Sequence, residues 1–194
     1  MTRIVRMAIA KGVELRKKDD LVVLTSNSLY PVFVQSYFGN IRLGIDSSSV
    51  VEMTFGESMV VFDYNQFHNF LMVAKSEGYE ALIILSRYLS TSVSFMKGWG
   101  AGYRRKKLEN CPCWLDITMT EPMQLLKLLI ENITKANSDH FPQQLKRQLE
   151  LICQSVDDDE KNKHCRLEYN HRHEYKIASI FNEFTGLLSI KCPE

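Results

Sequence analysis

Between Ser94 and Ile117 the chain gathers Lys97, Tyr103, Arg104, Arg105, Lys106 and Lys107, interleaved with Trp99 and with glycines at 98, 100 and 102. Ammonium, phenol and forked guanidinium groups are all hydrogen-bond donors. A phosphate, with several acceptor oxygens and more than one negative charge, can be met by Lys97, Tyr103, Arg104 and Arg105 together. Glycines let the backbone take unusual dihedral angles and come close to a partner. The chemistry on offer is therefore anion capture. The bland alternative is a solvated basic loop in which Trp99 merely plugs the core.

Other chemistries find little support. The chain contains no phosphate-cradling G-x-x-x-x-G-K-[ST], no G-x-S-x-G elbow and no H-E-x-x-H, so no catalytic residue is assigned and no enzyme is expected. His68 lies on a helical stretch and reads as a surface or half-buried histidine. Cys111-Pro112-Cys113 together with His164, Cys165, His171 and His173 is the one conceivable metal set, but its spacing matches no zinc ribbon or finger. No metal and no cofactor are expected. Asp157 to Glu160 reads as a solvated acidic linker.

Something must hold the basic run in place, and the flanking sequence reads as strands. Leu21–Leu24, Val32–Val34, Val50–Met53 and Met59–Phe62 are short β-branched or aromatic runs broken by Asn, Ser, Gly and Pro. Asp63 stands as the cap of a helix carrying Phe67, Phe70, Leu71 and Ala74, which Gly78 interrupts before a second helical set at Ala81, Leu82, Leu85 and Tyr88. Thr91–Phe95 returns to strand. After the loop, Leu115, Ile117 and Met119 alternate with Trp114, Asp116 and Thr118, which predicts a strand with two distinct faces. Pro122 then sits in the first turn of a helix striped by Met123, Leu126, Ile130 and Ile133. Beyond Thr134, Leu145, Leu149 and Ile152 predict a short amphipathic helix. Ile177, Phe181, Phe184 and Leu188 predict another at the end of the chain.

Composition fits one core with an appended segment: 194 residues, 45% hydrophobic and 24% charged. A formal charge of +1 gives no global pull toward nucleic acid or membrane, so electrostatic work must be local. Five cysteines, an odd and scattered set, suit reduced thiols. The first ten residues lack the apolar run of a signal peptide, and the expected location is cytoplasm and nucleus.

Lys97-Gly98-Trp99-Gly100-Ala101, then Tyr103-Arg104-Arg105, then Pro112-Cys113-Trp114-Leu115-Asp116-Ile117 resemble the receptor-reading loop and following strand of the C-terminal Mad-homology domain of the Smad family. Upstream, Ile9–Leu15, Val32–Ser36, Val61-Phe62 with Gln66-Phe67, and Gly78–Ala81 also match, and so does Pro122–Leu126 downstream. The matches run in order from about Arg6 to Ile133. The resemblance implies an α+β, mainly β fold, an antiparallel β-sandwich with flanking helices (Smad/FHA-like), in a partial domain over residues 1–133 with a helical extension over 134–194. It also implies a protein-binding module that transduces and regulates transcription downstream of TGF-beta-type receptors. Lys97, Tyr103 and Arg105 fall at family positions that hold phosphoserine. Trp99, Arg104, Lys106 and Lys107 belong to the partner-reading loop, where Arg104 resembles the activin-type choice and Lys107 matches neither common choice. The implied partners are other Smad-type proteins, receptor serine/threonine kinases and transcription cofactors, with no direct DNA binding and no membrane contact.

Several positions depart from the family pattern. The final residues Ser189–Glu194 carry no Ser-x-Ser motif, which argues against direct receptor activation. Val60 stands where many relatives have a phosphate-holding lysine, so a weaker pocket is expected. Lys127 replaces a typical acid of the trimer contact, which argues against a homotrimer and leaves a hetero-oligomer open. The family's opening strands have no counterpart before Arg6, and the tail from about Gln143 to Leu188 is expected to cover part of that gap. Two alternatives stay open. Cys111-Pro112-Cys113-Trp114-Leu115 resembles inhibitory members and suits an antagonist or decoy. The cluster Arg104–Lys107 alone would suit a nucleic-acid binder.

Overall fold

The computed structural model describes residues 12–136 and 188–191. Val13 and Leu15 alternate with Glu14 and Arg16, and this pattern builds β1 (Val13–Lys18), the edge of its sheet among the described residues, with its apolar pair buried and its charged end in solvent. Arg16 pairs with Glu14 at 2.8 Å, and such charges on an edge discourage pairing with another chain. A turn through Asp19, with φ +53°, leads to β2 (Leu21–Ser26), which pairs antiparallel with β1 on one side and with β5 (Ser58–Asp63) on the other.

The second sheet is larger and also antiparallel. It contains β3 (Val32–Ser36), β4 (Val51–Met53), β6 (Ser90–Phe95), β7 (Trp114–Met119) and β8 (Leu188–Lys191), in spatial order β4-β3-β6-β7-β8. Every other residue points inward, so Leu24, Val32, Val34, Val93, Leu115 and Ile117 join one core. This is the sheet-rich antiparallel α+β sandwich that the strand pattern and the family resemblance imply.

Helices close the sandwich. Ser36 caps the short α1 (Tyr37–Arg42) by accepting from the Gly39 amide at 3.1 Å. That turn drives Phe38 into the core, edge to face with Phe62 at 4.7 Å between centroids. Asp63 caps α2 (Tyr64–Glu77) through the Gln66 amide at 3.0 Å, as its position ahead of the apolar periodicity predicts, and its other oxygen accepts from Arg42 at 3.0 Å. Gly78 ends α2 at φ +101°, and α3 (Tyr79–Ser86) begins at once. From β7 the chain passes directly into α4 (Thr120–Ala136), which buries Met123, Leu126 and Ile130.

Three features depart from the sequence reading. β1 and α1 were not foreseen as elements. Leu188, the expected end of a helical stripe, instead opens β8, which pairs with β7 from Leu188 opposite Met119 to Lys191 opposite Asp116. The other residues of that stripe, and the helix expected around Leu145, Leu149 and Ile152, lie outside the described residues.

Candidate functional site

The connection between β6 and β7 is held by a small core of its own. Leaving Phe95, the chain turns at Met96, a non-glycine residue at φ +67° whose amide donates to the Pro31 carbonyl at 2.8 Å. The next carbonyl, that of Lys97, accepts from the Ser94 hydroxyl at 2.5 Å and from the Cys111 thiol at 3.4 Å. Lys97 is thus anchored through its backbone while its side chain is exposed.

Trp99 follows and is only 5% exposed; it packs with Phe33 and Cys111, rimmed by Val50, Tyr103, Leu108 and Trp114. Phe33 explains why this core exists. It alternates with Val32 and Val34, which face the sandwich interior, so its ring lies on the outer face of the sheet and requires a cover. Trp99 and Tyr103 supply it. Tyr103 meets Phe33 edge to face at 5.5 Å, and its ring lies so close over Gly98 that a Cβ there would stand 2.4 Å from a ring carbon.

The loop closes on itself above this base. Trp99 and Arg105 form a parallel bridge, the Gly100 amide donates to the Arg105 carbonyl at 2.8 Å, and Tyr103 turns back onto the Gly100 carbonyl at 3.2 Å. Gly100 takes φ +96° to make that turn. The Lys106 ammonium donates to the carbonyls of Ala101 and Tyr103 at 3.2 and 3.0 Å, tying the tip. Arg105 is half-buried, and its Nε donates to the Asn110 carbonyl at 3.1 Å, which orients the guanidinium and leaves its terminal nitrogens without a protein acceptor among the described residues. Arg104 and Lys107 are exposed.

The electrostatics favour donors. Burial, and then the charge of Glu52, push the Tyr103 phenol above its ordinary range, so near neutral pH it keeps its proton and can donate. Burial likewise raises the Cys111 thiol, against the lowering pull of the Ser94 hydrogen bond and the Arg105 charge. Cys111 therefore serves here as a packed thiol donor. Among the described residues no group of three or more His, Cys, Asp and Glu side chains is placed to hold a metal ion.

Of the residues singled out in the sequence, Lys97, Trp99, Tyr103, Arg105 and Lys106 all belong to this loop: Lys97 is anchored by its carbonyl with its side chain exposed, Trp99 is buried, Tyr103 packs on Phe33, and Arg105 and Lys106 donate to loop carbonyls. Arg104 and Lys107 project from it. Val60 belongs to the other sheet, where it pairs with Val23. His68 is exposed on α2. Sequence reasoning missed Phe33, Val50 and Glu52, although an aromatic between two inward valines is a usable signal. An open concavity of about 410 Å³ lies against Gln35, Tyr37, Arg87, Tyr88 and Asp116, and the rings of Tyr37 and Tyr88 in its lining stack at 3.8 Å.

The two antiparallel sheets, the helices packed on them and the glycine-hinged basic loop between β6 and β7 have the architecture that the Smad-family resemblance implies. The MH2 domain family model matches residues 1–120, and the chain belongs to that family. It is similar to Dwarfin sma-3 of Caenorhabditis elegans, 31% identical over 134 residues, an alignment covering 68% of this chain and 34% of the relative. The chain thus spans about a third of the length of that relative. No helix of the described residues is long and apolar enough to cross a membrane.

Proposed function

We propose that this chain is a non-enzymatic signal transducer and transcriptional regulator of TGF-beta-type signalling, acting in cytoplasm and nucleus through phosphoserine-dependent contact with other proteins. In this reading Lys97, Tyr103 and Arg105 hold the phosphate, while Arg104 and Lys107 project toward the partner from a reading loop that the buried Trp99 anchors and Lys106 ties at its tip. Other Smad-type proteins, receptor serine/threonine kinases and transcription cofactors are the partner classes. The observation that carries the reading is preorganisation. The Lys97 backbone is bonded from two sides and the Arg105 guanidinium is oriented by Asn110, so little loop ordering is left for the ligand to drive.

A phosphoserine brings about −1.5 to −2 charge and three acceptor oxygens, which suits one ammonium, one guanidinium and one phenol. Hydrogen bonds to charged groups are worth about 1.5–3 kcal/mol each, or about 10- to 100-fold in affinity. Titration of the chain with a doubly phosphorylated Ser-x-Ser peptide tests the assignment. Lys97→Ala and Arg105→Ala should each weaken binding by about tenfold or more, and equal affinity of variant and parent refutes it. An antagonist of the same pathway is the second reading, favoured by the segment Cys111-Pro112-Cys113-Trp114-Leu115. A pathway reporter separates the two by the sign of its response.

A further inference from the structure

The floor beneath the basic loop carries a carboxylate. Register pairs Phe33 of β3 with Glu52 of β4, and directly paired residues of an antiparallel ladder project from the same face of the sheet. That face is the outer one, where Phe33 packs against Tyr103. Val50, two residues before Glu52 and so on the same side, belongs to the Trp99 cluster and lies under Gly100, whose added Cβ would stand 3.6 Å from a Val50 methyl. Glu52 is therefore the next outward side chain along the strand that supports the loop. It is exposed, and its charge is felt at the Tyr103 phenol.

No cation of the described residues neutralises it. Among the described residues Arg16 pairs with Glu14 and Arg42 with Asp63, and neither Lys97 nor Arg105 is paired with Glu52. An uncompensated carboxylate beside an anion site repels a phosphate and attracts any cation that arrives with it. We propose that Glu52 is a specificity-determining residue, selecting phosphoserine segments that carry a lysine or arginine next to the phosphate over segments with neutral or acidic flanks. The inference rests on the phosphoserine reading of Lys97, Tyr103 and Arg105, and it adds the sign of charge that the ligand must present beside the phosphate. The discrimination is that of one partly screened charge pair at the surface, between threefold and tenfold at moderate salt and smaller at high salt.

The experiment titrates the full chain, Glu52→Gln and Arg105→Ala with four doubly phosphorylated Ser-x-Ser peptides: one with neutral flanks, and three with a single lysine before, between or after the phosphoserines. The parent should bind at least one lysine peptide three- to tenfold more tightly than the neutral one. In Glu52→Gln that preference should fall below twofold, and the neutral peptide should bind about threefold more tightly than it binds the parent. Identical peptide ratios in the parent and Glu52→Gln, with Arg105→Ala still impaired, overturn the role of Glu52 and leave the phosphoserine site standing. Unchanged binding of all four peptides by Arg105→Ala overturns both.

Discussion

Two hydrophobic clusters share the five-stranded sheet, one on each face, and they do different work. The inner one is large: strands from both sheets and all four described helices contribute to it, and Phe38, Phe62, Leu82, Ile117 and Leu126 are all at most 1% exposed. Among the described residues the outer one has Phe33, Trp99 and Cys111 as its buried members. The inner cluster fixes the sandwich, whereas the outer fixes one loop to it, and the loop's polar groups then bond mostly to one another. Stability and ligand geometry are thereby supported on opposite sides of β3 and β6. Damage to each should leave a separate signature.

The largest expected effect tests the inner face. Phe38 is fully buried and contacts the rings of Tyr37, Phe62, Phe67 and Phe70 at centroid distances of 5.5, 4.7, 6.4 and 5.9 Å. Phe38→Ala should cost about 3–5 kcal/mol, seen as a melting temperature lowered by on the order of 10 °C or more. Phosphopeptide affinity per folded molecule, measured in the cold, should stay within about twofold of the parent. If affinity falls in step with stability, the two faces are one cooperative unit and the comparison breaks.

Trp99→Ala is the converse. Its ring is buried in a cluster with few members and an open rim that can collapse, so the loss in global stability should lie at the low end of the range for a buried aromatic, about 3 kcal/mol. The loop above it loses its anchor, however. Phosphopeptide affinity should drop by about tenfold or more, and the Gly100 amide, protected by the Arg105 carbonyl, should exchange far faster with deuterium. A melting shift as large as that of Phe38→Ala, with unaltered affinity, would show that Trp99 belongs to the main fold alone.

The inner face was largely legible in the sequence and the outer one was not, for a physical reason. β2 to β6 follow from short runs rich in β-branched and aromatic residues between turn residues, β7 follows from alternation of its apolar residues, and the α4 stripe follows from helical periodicity. β1 escaped because Arg16, Lys17 and Lys18 mask an alternation only two apolar residues long. α1 escaped because six residues with a glycine in their midst make no periodic signal. β8 depends on a pairing far along the chain, so Leu188 could as well end a helical stripe. In the loop, residue types announced donors and glycines announced turns. The neighbours of those donors are set by strand register: Glu52 comes next to Tyr103 only because β4 pairs with β3 as it does.

Lys106 offers the smallest and most discriminating test, because four adjacent cations look alike in the sequence and not in the fold. Its ammonium bonds two carbonyls of the loop tip, whereas the neighbouring Lys107 is exposed and makes no such contact among the described residues. Each lysine contributes one screened unit of positive charge to an approaching anion, so Lys107→Ala measures the charge effect alone, less than about twofold at moderate salt. Lys106→Ala removes the same charge and also unties Ala101 and Tyr103. Affinity for the doubly phosphorylated Ser-x-Ser peptide should fall about threefold, with global stability changed by less than about 0.5 kcal/mol, as for most exposed sites. Raising the salt should nearly abolish the Lys107 effect and leave most of the Lys106 effect, because a bonded loop tip is not a screened charge. Equal, salt-sensitive losses in the two variants would mean that the loop holds its shape without Lys106, and that the Trp99 cluster alone carries the preorganisation.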